Sequence, residues 1–136
     1  MRVQPGAKTV RRLLAADGFL DLGMPERAVA ELESMEDPGM LEGPRQLLLG
    51  IALKQLQDVR EAITHLEQAA RLMPSPVRRF AWKELSDCYQ AVGSSELATM
   101  ATQLAGDGEW DLKITLPHLP ASLNLLKTSR ASEQSV

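Results

Sequence analysis

The stretch that decides the fold runs from residue 49 to residue 74 and reads LGIALKQLQDVREAITHLEQAARLMP. Its apolar residues recur three and four positions apart, which is the spacing of one face of an α-helix. Asp58 separates two such runs and stands where its side chain can cap the second. Pro74 ends that second run. The stretch therefore predicts two helices joined by a tight turn.

The same arrangement occurs three times along the chain. A small residue in the first helix of each unit is followed twelve positions later by an alanine in the second helix. The three pairs are Ala16 with Ala28, Gly50 with Ala62, and Ser86 with Ala98. Successive copies are 34 and then 36 residues apart, and we place the two additional residues near Ser75 and Pro76 because loops between units tolerate insertions.

These small residues have a physical reason to recur. Two antiparallel helices joined by a short turn can approach closely only where no long side chain stands at their crossing point. Gly23 and Gly93 can adopt the left-handed conformation that closes a helix, and Pro25 suits the first turn of the next. The pattern predicts an all-α fold with helices near 8–21, 25–35, 44–56, 59–72, 77–91 and 95–105.

Composition limits the classes of function. The 136 residues are 44% hydrophobic but only 4% aromatic, which fits one soluble domain with an aliphatic, helical core. A net charge of −3 lacks the basic excess needed for non-specific binding to nucleic acid or anionic membranes. Cys88 is the only cysteine, so we expect no intrachain disulfide, no zinc site and a reducing compartment. With no apolar run of signal-peptide or membrane-spanning length, the expected location is the cytoplasm.

The repeat resembles the tetratricopeptide repeat (TPR), whose signature runs W-x2-L-G-x2-Y, then A-x3-F, then P. The third unit supplies Trp82, Leu85, Tyr89 and Ala98, with Ser86 in place of the glycine. The second supplies Leu49, Gly50, Leu53, Ala62, Leu66 and Pro74, with Gln46 in place of the tryptophan. The first supplies Ala16, Phe19, Gly23 and Ala28, with Met40 in place of the proline.

The resemblance covers residues 9–105, between a lead at 1–8 and a C-terminal extension at 106–136. It implies three helix-turn-helix units in a short right-handed superhelix. The alternative is an unrelated helical bundle rich in alanine and leucine.

In this family the first helices line a concave groove that binds an extended or helical peptide, and the resemblance implies the same here. By helical phase we assign to this groove Leu13, Leu14, Asp17, Leu20, Leu47, Leu48, Ile51, Phe80, Glu84 and Asp87. Their apolar and acidic character predicts a protein or peptide partner with an apolar segment and a basic flank. The same phase also fits core positions for several of the leucines.

Two better-known uses of the family can be compared with these residues. One subgroup grips the C-terminal carboxylate of chaperone tails with basic residues and asparagine, but this chain has Asp17 and Glu84 at corresponding positions, which would repel a carboxylate. Chaperones of bacterial type III secretion have apolar grooves of similar length, and they supply an alternative function, based on architecture alone.

Catalytic chemistry has only weak candidates. Glu61 lies one turn before His65, on a helix face that we expect to be solvated. Cys88, beside Leu85 and Tyr89, fits a buried thiol better than a nucleophile. We therefore expect no catalytic residues, no metal and no cofactor. The rival interpretation is a small helical enzyme that uses Cys88 or His65.

The last 31 residues follow a different pattern. Trp110, Leu112, Ile114 and Leu116 alternate with polar residues, which is a strand period, and a polar end follows. Repeat arrays usually end in a capping helix, and none is predicted directly after Ala105. This segment could cap the array, fill the groove or pair with another copy of the chain, which would make a homo-oligomer.

Overall fold

In the computed structural model, residues 6–106 are described, and they form six α-helices with one short 3₁₀ turn. The helices are α1 (Ala7–Asp21), α2 (Pro25–Glu33), α3 (Glu42–Gln55), α4 (Val59–Leu72), α5 (Arg79–Ala91) and α6 (Ser95–Ala105), and the 3₁₀ turn is Gly39–Leu41. No strand is present in this part of the chain. The all-α prediction is confirmed, and each helix ends within two residues of its expected position.

The same closing turn joins α1 to α2, α3 to α4, and α5 to α6. The middle residue of each turn has a positive φ: 71° at Gly23, 67° at Gln57 and 82° at Gly93. The next backbone N–H donates to the carbonyl five residues back, in the pairs Met24–Phe19 (2.8 Å), Asp58–Leu53 (2.9 Å) and Ser94–Tyr89 (2.9 Å). This six-to-one hydrogen bond defines the Schellman motif. The local geometry thus repeats with the 34- and 36-residue spacing of the sequence.

The middle turn differs from the other two turns in one detail and from the sequence-based expectation in another. Gln57, and not a glycine, takes the left-handed conformation there. Asp58 is the residue before α4, but its side chain makes no capping hydrogen bond. The prediction of a side-chain cap was wrong, because Asp58 joins the two helices through its backbone: its N–H closes α3, and its carbonyl accepts from the Ala62 N–H of α4 at 3.0 Å.

Gln57→Gly is expected to raise the free energy of unfolding by about 1 kcal/mol, because glycine adopts positive φ without the steric cost of a Cβ. Gly23→Ala provides the matched opposite change and is expected to lower it by about the same amount. No atom lies within 4 Å of a Cβ placed on Gly23, so this cost would come from the backbone alone. Urea denaturation measures both shifts, and equal midpoints for Gln57→Gly and wild type would contradict the prediction.

Each helix packs against the next one in the chain, and the first helices of consecutive units also contact each other. Each helix contacts the next, and further contacts join α1 to α3 and α3 to α5. One apolar cluster includes Leu13, Leu32 and Leu48, while the other includes Leu66 and Leu85. Ile51 on α3 packs against both clusters, so α3 connects the two halves of the core.

The small residues lie at the close approaches. A Cβ on Gly50 would overlap the Leu66 side chain and lie 3.3 Å from the Ala62 carbonyl oxygen. At the third crossing, the Ser86 hydroxyl lies 2.7 Å from that of Thr102, and Thr102 donates to the Ala98 carbonyl at 2.9 Å. A hydroxyl pair therefore stands in the third unit where the second has Gly50 against Leu66.

Candidate partner-binding surface

The structure separates the ten residues assigned to the groove into two groups. The members of the first group are buried in the core, each at most 4% exposed: Leu13, Asp17, Leu20, Leu47 and Leu48. The leucines belong to the two apolar clusters. Leu47 and Leu48 lie on α3, which contacts α1, α2, α4 and α5, whereas the other three lie on α1, which contacts α2 and α3. These five side chains support the fold and are not accessible to a partner.

The second group keeps some exposure. Leu14, Ile51, Phe80 and Glu84 are half-buried, and Asp87 is exposed. Ile51 lies on α3, whereas Phe80, Glu84 and Asp87 lie on the neighbouring first helix, α5. The contact between α3 and α5 brings these residues to one region of the surface.

A charged cluster marks this region. Lys54 Nζ on α3 donates to Glu84 Oε1 at 3.0 Å and to Asp87 Oδ2 at 2.9 Å, both on α5. We call Lys54, Glu84 and Asp87 the Lys54 triad. Helical phase did not predict this pairing, since the partners are 30 and 33 residues away from Lys54.

Lys54 and Glu84 are half-buried and Asp87 is exposed, and the triad keeps an excess negative charge. Burial by itself would lower the pKa of Lys54, but the neighbouring Glu84 and Asp87 carboxylates outweigh burial and raise it above its ordinary value. Lys54 is therefore protonated at neutral pH and balances one of the two carboxylates. The Asp87 side chain is 58% exposed, so the remaining negative charge faces solvent.

The three weak candidates for catalysis, Cys88, His65 and Glu61, are either buried or hydrogen-bonded to neighbouring side chains. Cys88 is 1% exposed, and burial raises the pKa of its thiol to about 11. His65 Nδ1 lies 2.6 Å from Gln46 Oε1, while the amide nitrogen of Gln46 donates to Glu42. The side-chain hydrogen bond between Glu61 and Asp58 raises the pKa of Glu61. Within residues 6–106, no group of three or more His, Cys, Asp or Glu side chains is placed to hold a metal ion.

We expect the Cys88 thiol to react slowly with a thiol-specific reagent in the folded protein at pH 7, because the raised pKa keeps it protonated and the fold covers it. Unfolding in urea should restore the rate of a free cysteine. Because the folded pKa is raised, this group's contribution to stability falls as the pH rises from about 9 towards 11. Rapid reaction of the native thiol would instead favour the enzyme interpretation.

Arg11 and Arg12 form a basic pair near the start of α1, and an acidic neighbour partly neutralises it. Arg12 Nη1 contacts Glu31 Oε2 at 3.2 Å and Ser34 Oγ at 2.8 Å, which ties α1 to α2. Lys8, Arg11 and Ala15 line the shallow, open depression beside this contact. The geometry agrees with a solvated surface in which acidic neighbours dilute the basic charge.

Comparison of the chain with protein-family models, with curated proteins and with solved structures finds no match. Among the helices described for residues 6–106, none is long and apolar enough to cross a membrane. The predicted strand at residues 110–116 and the polar end that follows it lie outside the described residues.

Proposed function

We propose that the protein is a non-catalytic adaptor whose three helix pairs are TPR-like units arranged in a short right-handed superhelix. The observation that carries this proposal is the threefold recurrence of one turn geometry, combined with contacts between consecutive first helices. A binding face built from α1, α3 and α5 follows from that arrangement. Its occupant is a segment of a partner protein in the cytoplasm, and neither nucleic acid, membrane nor cofactor takes part.

The accessible side chains suggest the chemistry of the partner. Ile51 and Phe80 are half-buried and pack against the core, so a partner's apolar side chains can extend this packing. Leu14 on α1 is also apolar and half-buried. The Lys54 triad has a net charge of −1, and its exposed carboxylate attracts a cation. The proposed partner therefore has an apolar segment flanked by Lys or Arg. The accessible site is Leu14, Ile51, Phe80, Glu84 and Asp87, with Lys54 as the charged link between α3 and α5.

Selection of short random peptides on the immobilised protein tests the proposal. We expect enrichment of apolar peptides with a basic flank. Asp87→Lys should weaken a selected peptide about fivefold at low salt, since an exposed ion pair contributes roughly 1 kcal/mol, and the loss should shrink in high salt.

The matched control is Glu33→Lys, the same charge reversal at an exposed position on α2. It should change the affinity for the peptide by no more than about twofold relative to wild type, because long-range electrostatic effects are screened. Equal losses from both variants would indicate a general charge effect, and selected peptides without a shared pattern would contradict the adaptor function.

A further inference from the structure

An apolar stripe lies on the outer surface of α6. Leu97, Met100 and Leu104 are 44%, 42% and 46% exposed. Their spacing of three and four residues places them on one face of the helix. The buried residues of α6, Ala98, Ala101 and Ala105, form the adjacent face.

The repeat pattern does not require this stripe. On α4 the corresponding positions are Glu61, Thr64 and Gln68. In the first unit they are Arg27 and Ala30 on α2 and Ser34 directly after it; all six are exposed. Polar side chains fill five of these six positions. The leucines and the methionine on α6 therefore differ from the mostly polar residues at the corresponding positions of the other units. Exposed apolar patches commonly mark interaction sites.

The opposite flank of α6 also departs from the repeat. On α4, Val59, Ile63 and Leu66 are covered by the core, whereas the matching Ser95, Thr99 and Thr102 on α6 are exposed. A polar outer face is what terminal repeats need. Among residues 6–106, α6 is thus the last helix and has a polar flank, whereas its apolar stripe remains partly exposed.

We propose that residues 110–116 of this same chain dock on the stripe formed by Leu97, Met100 and Leu104. The chain leaves α6 through Gly106, whose φ of 84° ends the helix and redirects the backbone. Thirty further residues follow, and their apolar alternation begins at Trp110, four positions beyond Gly106.

The distances allow this docking. Four residues can reach about 13 Å, while the stripe from Leu97 to Leu104 is about 10 Å long. An extended segment from Trp110 to Leu116 presents four apolar side chains on one side. It can therefore run back along α6 and cover the stripe after a single reversal of the chain.

The small size of the stripe favours a tethered segment over a second copy. A stable dimer buries about 800 Å² on each partner, and three half-exposed side chains provide far less. A segment joined directly to α6 is present at an effective concentration of about millimolar, so a small apolar contact is sufficient. This inference does not depend on the binding face of α1, α3 and α5.

The test uses the fluorescence of Trp110 in the full chain. The chain has two tryptophans, so Trp82→Phe leaves Trp110 as the single reporter. We expect acrylamide to quench Trp110 several-fold less efficiently in the folded protein than in urea. Met100→Asp in the same background should remove this protection while the helical circular dichroism stays unchanged.

Thr64→Asp is the matched control, because Thr64 occupies the corresponding exposed position on α4. It should leave the protection of Trp110 intact. If Met100→Asp fails to fold, Leu104→Gln replaces it. A Trp110 that is quenched equally in the folded and unfolded chain overturns the proposal, as does protection that survives Met100→Asp. Protection that disappears on dilution together with a change in sedimentation identifies a second copy as the occupant and also overturns it.

Discussion

Leu48→Asp is expected to destabilise the protein severely. Leu48 is 2% exposed and packs in the cluster that contains Leu13, Leu32 and Leu41. A carboxylate there loses its hydration with no basic partner in the cluster, so we expect a cost of about 4 kcal/mol or more. This is a large part of the roughly 5–15 kcal/mol that stabilises a typical domain. Far-UV circular dichroism and urea denaturation measure the loss.

The control is Leu22→Asp, which makes the same chemical change where the side chain is 73% exposed. It should alter the free energy of unfolding by no more than about 0.5 kcal/mol. A Leu48→Asp variant as stable as Leu22→Asp would mean that Leu48 faces solvent, as a groove residue would. Loss of partner binding by Leu48→Asp cannot by itself identify the groove, because the folded state is affected first.

Gly50→Ala is expected to lower the free energy of unfolding by about 1–3 kcal/mol, because the added methyl group overlaps the Leu66 side chain where α3 crosses α4. Movement of Leu66 is constrained because this leucine is fully buried. For a domain of about 100 residues, each kcal/mol corresponds to a shift of about 4–8 °C in Tm. Thermal and urea unfolding should agree on the size of the effect.

Gly18→Ala provides a control with the opposite expected sign. Gly18 lies inside α1, and no atom is within 4 Å of a Cβ placed there. Alanine should therefore raise the free energy of unfolding by about 0.5–1 kcal/mol through its better helix propensity. If both variants were stabilised, α3 and α4 would not meet closely at Gly50, and the repeat register would be wrong.

The helices and two of the three closing turns could be predicted because their signals are local. Apolar residues three and four positions apart indicate a helix wherever they occur, and Gly23 and Gly93 satisfy a backbone conformation that few other residues adopt easily. Gln57 gave no such signal. The turn between α3 and α4 requires a positive φ at this position, although the Cβ of glutamine makes that φ unfavourable.

The groove shows the limit of helical phase. Leu13 and Leu14 are adjacent in α1, yet Leu13 is buried and Leu14 is half-buried. Phase gives the direction of each side chain, but burial depends on which other helices pack there. The same holds for the Lys54 triad, because an ion pair between residues 30 or more positions apart depends on how α3 and α5 lie together.

The sequence by itself determined the helical periods and the small residues at the crossings, since both depend on neighbours within one helix pair. The repeat spacing of 34 and 36 residues could be read from the sequence directly. Only the tertiary structure decided which apolar residues form the core, how Lys54 is paired, and that α6 combines a polar flank with an exposed apolar stripe. These features depend on contacts between units, where small differences in helix placement change which side chains remain in water.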